Sequence, residues 1–304
     1  MTMWYNEFHP ELRRAARYLP RTLITARTYR LMRALIRLHA PHRHEDVQVL
    51  TLSCGVGIRL HKPADLSTPS AALLWIHGGG YVIGTARQDD RLCHRYAKQV
   101  GMVVASVEYR LAPEYPYPAA LEDCYSALKW LAALPSVDGT RVAIGGASAG
   151  GGLAAALAQY AHDRGGITAA AQLLAYPMLD DRVAPNKAVQ RHYRGWTARS
   201  NRFGWASYLG DADREIAVPA RRADLSGLPP AWIGVGTLDL FCDEDLAYAA
   251  RLKDAGVPCE VKVVPGAFHG FDVVARGASV TRAFYDSQCA FLRDALTPTS
   301  SAPR

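Results

Sequence analysis

What the chain lacks narrows its chemistry first. No pair among its six cysteines (54, 93, 124, 242, 259 and 289) has C-x-x-C spacing, and no cysteine–histidine group has the spacing of a zinc site. The thiols read as small buried hydrophobes in a reducing compartment, and no metal or organic cofactor is expected. No apolar run approaches the roughly twenty residues that cross a bilayer. The opening MTMWYNEFHPELRRAARYLP has no unbroken apolar core of a secretory signal. A soluble, cytoplasmic protein without stable membrane insertion is therefore expected.

Lysine is missing from residues 1–44, and so are acids other than Glu7 and Glu11, while nine arginines stand there. Their balance of +7 equals the net charge of all 304 residues, so the remainder is neutral. The arginines alternate with Leu12, Ala16, Leu19, Leu23, Ile24, Tyr29, Leu31, Leu35, Ile36 and Leu38. That pattern reads as amphipathic helices with a solvated basic face; contact with an anionic surface is the competing reading. No nucleic-acid partner is expected.

Beyond residue 44, two alternating segments (47–53 and 56–61) look like a hairpin that starts a sheet. Apolar strand-like runs follow at 71–76, 102–109, 141–145, 171–176, 231–236 and 259–264. Helix-like stretches lie between most of them, at 88–100, 118–134, 149–164, 243–256 and 278–296. The alternation predicts an α/β fold whose mostly parallel central sheet has helices on both faces. Over fifty residues separate the strands near Tyr176 and Ala231, too many for a simple connection. This excursion carries Tyr193, Trp196, Phe203, Trp205 and Tyr208. A helical cap is expected from an insertion at about 180–215 together with an N-terminal segment 1–44, over a catalytic domain spanning 45–298. The tail TPTSSAPR reads as loose.

Two glycine-rich stretches carry the chemistry. In IGGASAGGGLAAALA (144–158) there is no lysine followed by Ser or Thr, so it is not a Walker loop. From Gly150 the sequence G-G-G-L-A-A lacks the third glycine of a dinucleotide fingerprint. What remains is Gly146-Ala147-Ser148-Ala149-Gly150, a G-x-S-x-G between a strand and a helix. There Ser148 can be a nucleophile on a strained turn, with Gly146 and Gly150 allowing close backbone approach. A plain structural turn is the bland alternative. The second stretch, His77-Gly78-Gly79-Gly80, ends another strand. Its bare N–H groups, with that of Ala149, suit an oxyanion. His77 reads as an orienting hydrogen-bonder beneath that loop.

A serine nucleophile needs a base and an orienting acid, in the chain order Ser, Asp/Glu, His. Asp239 follows the strand at 231–236, with Asp243 as the fallback. Asp243, Glu244 and Asp245 open a helix and read as dipole-favoured, solvated acids. His269 stands in a loop after the last strand, between Gly266 and Gly270; His162 falls in a helix and His192 in the cap.

With these motifs in place the chain resembles the hormone-sensitive-lipase-like (bacterial family IV) esterases of the α/β-hydrolase superfamily. The resemblance covers about 70–295 and rests on HGGG (77–80), YRLAPEYPYPAALED (109–123), GASAGG (146–151), LDLFCDE (238–244) and FHGF (268–271). It implies a serine ester hydrolase for short to medium acyl chains, and that Arg110, Pro113 and Glu114 fix the turn after a strand. Homodimerisation through the last strand is plausible by resemblance only. Two positions depart: Ala147 replaces an acid or threonine, and Gly152 an asparagine. Amide, carbamate or lactone hydrolysis by the same residues, or a small-molecule receptor on a silent scaffold, are the alternatives. Tyr81, Trp4, Tyr5 and the aromatics of 190–208 are expected in core or cap packing before substrate contact.

Overall fold

The computed structural model of the protein describes residues 6–39, 47–182 and 186–297. Trp4, Tyr5, Arg43 and the tail from residue 298 lie outside the described residues. Eight strands form one sheet: β1 (Val47–Thr51), β2 (Gly57–His61), β3 (Ser70–Ile76), β4 (Val103–Glu108), β5 (Val137–Ala147), β6 (Ala171–Ala175), β7 (Ala231–Gly236) and β8 (Cys259–Val264). Their order is β1-β2-β4-β3-β5-β6-β7-β8. Only β1–β2 and β2–β4 pair antiparallel, as expected of a starting hairpin. Every residue of β3, β6 and β7 is buried. That is why these strands read as continuous apolar runs and not as alternations.

The helices are α1 (Arg13–Tyr18), α2 (Tyr29–His39), α3 (Asp90–Tyr96), α4 (Ala119–Ala132), α5 (Ala149–Arg164), α6 (Ala198–Leu209), α7 (Arg214–Ala217), α8 (Cys242–Asp254), α9 (Phe271–Val274) and α10 (Ser279–Leu296). One apolar cluster holds residues of α4, α5, α8 and the 177–230 excursion; the other holds α1, α3 and α10. The two faces of the sheet are thus covered separately, each buried Val, Leu or Ile contributing about 1.5–3 kcal/mol. The expected helix over 88–100 begins and ends irregularly: α3 is preceded by a 3-10 turn and followed by a π turn at Ala97–Gly101.

The N-terminal segment is tied to the excursion. The Arg194 guanidinium donates to Ala16 O and the Gly195 amide to Pro20 O. Tyr193, Trp196, Trp205 and Tyr208 are all buried in the core. Glu11 accepts hydrogen bonds from Ser279 N, Ser279 Oγ and Val280 N at the start of α10, and these bonds hold its carboxyl below the usual range.

Two readings of charge need correction. Arg33 does not belong to a solvated basic face: it donates to Val82 O and Ala112 O and forms a bidentate pair with Glu114. Glu244 and Asp245 are not solvated either; both are buried. Glu244 accepts from the amides of Leu179 and Asp180, a tertiary contact that helix position alone does not reveal. The leucines of α2 depart the other way, since Leu31, Leu35 and Leu38 are exposed.

Candidate active site

All the singled-out groups meet where the parallel strands end. The loop after β3 carries His77 to Gly80, the turn after β5 carries Ser148, and the connections after β7 and β8 carry Asp239 and His269. In an open parallel sheet that edge is where ligands bind.

The turn at Ser148 is sharp, with φ 56° and ψ −122°. For a residue with a side chain this backbone costs on the order of 1–3 kcal/mol, and the surroundings must hold it. They do so by crowding. A Cβ on Gly146 would lie 2.4 Å from the Gly150 carbonyl carbon, and one on Gly150 would lie 2.0 Å from Ile76 O. Two backbone bonds pin the serine: its N–H donates to Ala175 O at 2.9 Å, and its carbonyl accepts from Met178 N at 3.0 Å. The departure at Gly152 has the same cause, since a Cβ there would sit 2.1 Å from Met178 O.

Ser148, His269 and Asp239 form a chain. His269 Nδ1 lies 2.8 Å from Asp239 Oδ2, and its Nε2 lies 2.9 Å from Ser148 Oγ. A carboxylate only accepts, so Nδ1 carries the proton and Nε2 is left to accept from the serine hydroxyl. The second Asp239 oxygen accepts from Phe241 N at 3.0 Å, which fixes the carboxylate's orientation. Asp239 and Ser148 are buried. Asp243 instead accepts a hydrogen bond from Asn186 Nδ2. The imidazole is walled by Tyr176 and Phe241, both edge-on with centroids 5.0 and 5.1 Å away, and by Trp196 at 6.4 Å.

The glycine loop packs on the serine. The position of a Cβ on Gly78 is 3.4 Å from Ser148 Cβ and 2.9 Å from Ala147 O. The N–H groups of Gly78, Gly79 and Gly80 make no backbone hydrogen bond among the described residues. Ala149 is the first residue of α5, so its N–H has no intrahelical acceptor. His77 is fully buried beneath the loop: Nδ1 donates to Gly78 O at 2.8 Å, and the ring stacks on Tyr109 at 4.2 Å. Burial lowers its basicity. Tyr109 donates its hydroxyl to His77 O at 2.9 Å, so the YRLAPE stretch begins by bracing this loop. Arg110 then clasps Asp123, and Glu114 holds Arg33.

Sequence reasoning missed three contacts. Trp196 sits on the glycine loop so closely that a Gly80 side chain would overlap its indole. Tyr176, at φ 36°, presses on His269 and donates to Asp272 Oδ1 at 2.7 Å. Phe241 supplies both a wall of the imidazole and the amide that orients Asp239. Tyr176 and Phe241 adjoin recognised motifs, which is a signal of a kind; Trp196 offers none.

A cavity of about 390 Å³ lies between α3 and α9–α10, lined by Gln88, Asp89, Leu92, Asp272, Val273 and Arg276 among others. None of Ser148, Asp239 or His269 lines it, and two of its lining residues connect to the site indirectly. Gln88 donates to Gly78 O, and Asp272 is bonded to the tyrosine that packs on His269. Burial pushes the Asp89 carboxyl up to about 7, and Asp272 is raised for the same reason. Among the described residues, no three His, Cys, Asp or Glu side chains gather in a metal-holding group.

The chain is similar to known proteins in both sequence and fold. A family pattern described as the alpha/beta hydrolase fold matches residues 73–273. The chain is 35% identical to the esterase LipI of Mycobacterium tuberculosis over 75% of its own length and 76% of the relative's. It is 34% identical to an ethyl acetate hydrolase of Pseudomonas putida, over 70% of each chain. The solved structure of a bacterial heroin esterase superposes with a TM-score of 0.87 at 34% identity, covering 97% of this chain and 99% of that one.

Proposed function

Because the chain belongs to the α/β-hydrolase family, in its hormone-sensitive-lipase-like branch, and is a carboxylic ester hydrolase, we propose that Ser148, His269 and Asp239 carry out its reaction. Ser148 Oγ attacks the ester carbonyl carbon while His269 Nε2 takes the hydroxyl proton. Asp239 holds the imidazole in the required tautomer and stabilises the imidazolium. The carbonyl oxygen becomes an oxyanion, held by N–H groups of Gly78 to Gly80 and of Ala149. The C–O bond to the alcohol then breaks, and the alcohol leaves with the proton from His269. Water, deprotonated by the same nitrogen, attacks the acyl-serine; the acid departs and Ser148 regains its proton. His77 supports the loop and takes no proton in this scheme.

The observation that carries this reading is the continuous hydrogen-bonded chain from Asp239 through His269 to Ser148 on a strained turn. The substrates are short to medium acyl esters, a reading that the similarity to an ethyl acetate hydrolase supports. Nothing in the site favours an amide, carbamate or lactone, and a receptor has no need of the intact chain of three side chains. We assign segments 1–44 and 180–215 to a cap over residues 45–298, since their described parts hydrogen-bond each other beside the site. The thiols, none of them paired among the described residues, fit the reducing cytoplasm. A homodimer would form along the free edge of β8.

The test is hydrolysis of p-nitrophenyl esters from acetate to palmitate by the wild type and Ser148→Ala. Turnover of the short chains by the wild type alone supports the proposal. A folded wild type inactive on every chain length refutes it.

A further inference from the structure

The arginine-rich segment is not used by the chemistry, and its second helix has an unusual outer surface. Along α2 the body covers Tyr29, Met32, Arg33 and Ile36, which are buried or half-buried. At about 100° per residue these fall on one side. Leu31, Leu35 and Leu38 share another side, within about 60° of each other. They are 62%, 38% and 79% exposed. The apolar arc of the helix is therefore wider than the part the protein covers. Arg30 and Arg37 lie together on one side of the leucines, about 80–100° round the helix from Leu38, and are exposed, and α2 contains no acid.

This surface continues around the mouth of the cavity beside the site. Ile36 lines that cavity together with Val273 and Arg276. Val274 and Arg276 line a neighbouring groove with Tyr18 and Arg14. Tyr18, Val273 and Val274 are exposed as well. With the three leucines they make six of the eleven exposed large hydrophobic side chains among the described residues. Exposed apolar side chains and exposed arginines thus stand on the elements around that cavity, which α2 enters through Ile36.

We propose that this face docks on an anionic lipid surface, with the α2 leucines among the acyl chains and Arg30 and Arg37 at the headgroups. Leucines beside arginines, with no acid between them, are the chemistry of an interfacial helix. Anionic headgroups add attraction for each arginine. A second copy of this chain fits less well: a two-fold contact through α2 would set Arg30 and Arg37 against themselves. Docking of this kind is adsorption; no helix of the described residues is long and apolar enough to cross a membrane. It would hold the cavity mouth against the phase in which water-insoluble esters collect.

The experiment is sedimentation of the whole chain with phosphatidylglycerol–phosphatidylcholine vesicles and with phosphatidylcholine alone. Wild type is expected to bind the anionic vesicles at low salt and lose about tenfold at high salt. Leu31→Ser with Leu38→Ser should weaken binding at least about tenfold. Arg30→Glu with Arg37→Glu should do the same. Both double variants should keep the wild-type rate on p-nitrophenyl acetate, which also reports that they fold. Absence of wild-type binding at low salt overturns the proposal, as does binding that ignores the leucine changes. So does a serine variant that only converts a dimer to a monomer in sedimentation velocity. Vesicle binding is read without turnover, so its failure leaves the ester-hydrolase reading intact.

Discussion

The turn at Ser148 and the helix α2 are held in different ways. At the turn, backbone meets backbone at Gly146, Gly150 and Ile76, leaving no space for a side chain. At α2, attachment rests on the buried Tyr29 ring against Phe203 and on the hydrogen bonds of one side chain, Arg33. Where reacting atoms must be placed to a fraction of an ångström, the fold uses contacts that cannot relax. Where the molecule meets its surroundings, it uses long polar side chains and leaves apolar ones uncovered.

The largest effect on this contrast is chemical. Ser148→Ala should lower kcat by at least about 10⁴-fold while leaving the thermal transition unchanged or slightly raised, because the methyl relieves no packing but removes the nucleophile. Steady-state kinetics and calorimetry check both halves. Next comes Gly150→Ala, whose added methyl must displace the carbonyl of Ile76. It should cost about 3 kcal/mol by urea unfolding and abolish activity with it. Leu31→Ser, on the other side of the comparison, should stay within about 0.5 kcal/mol of the wild type. If the two cost the same, the contrast fails.

Arg33→Ala should cost about 1–3 kcal/mol, because two buried carbonyls lose their donor. It also has a pH signature. Arg33 holds the Glu114 carboxyl below its ordinary value of 4.5. A depressed acid contributes stability above its unfolded value and loses it as pH falls through the folded one. The wild type should therefore lose the Glu114 part of its advantage over Arg33→Ala as pH falls below about 4.5, while the part from the two carbonyls remains. Thermal melts across that range read the difference, which is small because Glu114 is 44% exposed.

A further effect comes from a buried acid near Asp239. Asp245 is fully buried, and neither of its carboxyl oxygens has a partner among the described residues. Burial, with Glu244 and Asp239 nearby, pushes it well above the ordinary carboxyl range of 3.8. The folded state keeps a proton that the unfolded state releases, so stability falls as pH rises above that unfolded value. Asp245→Asn should raise the melting temperature by a few degrees at pH 8 and by less at pH 4. An equal change at both would mean that no proton is held.

The glycine motifs were readable because crowding leaves only one residue type at those positions. That Asp239 and His269 would meet Ser148 was readable from chain order, strand ends and the resemblance together. The alternation of runs gave the parallel sheet and its starting hairpin, although the irregular turns around α3 were not visible, since they depend on how that helix meets the sheet edge. Other features depend on partners far away in sequence. Asp245 has the same local signature as a solvated helix-start acid, and only the packing of α8 buries it. Arg33 looks like its eight arginine neighbours until Val82 and Ala112 arrive beside it. Trp196 reaches Gly80 from an excursion whose path carries no spacing rule.

The most direct test of the central claim is labelling with a p-nitrophenyl alkylphosphonate followed by peptide mass spectrometry. The account predicts one phosphonyl group per chain on Ser148, with p-nitrophenol released in equal amount, no label in Ser148→Ala and much slower labelling in His269→Ala. A label on another residue, or a folded wild type that takes none, would contradict it.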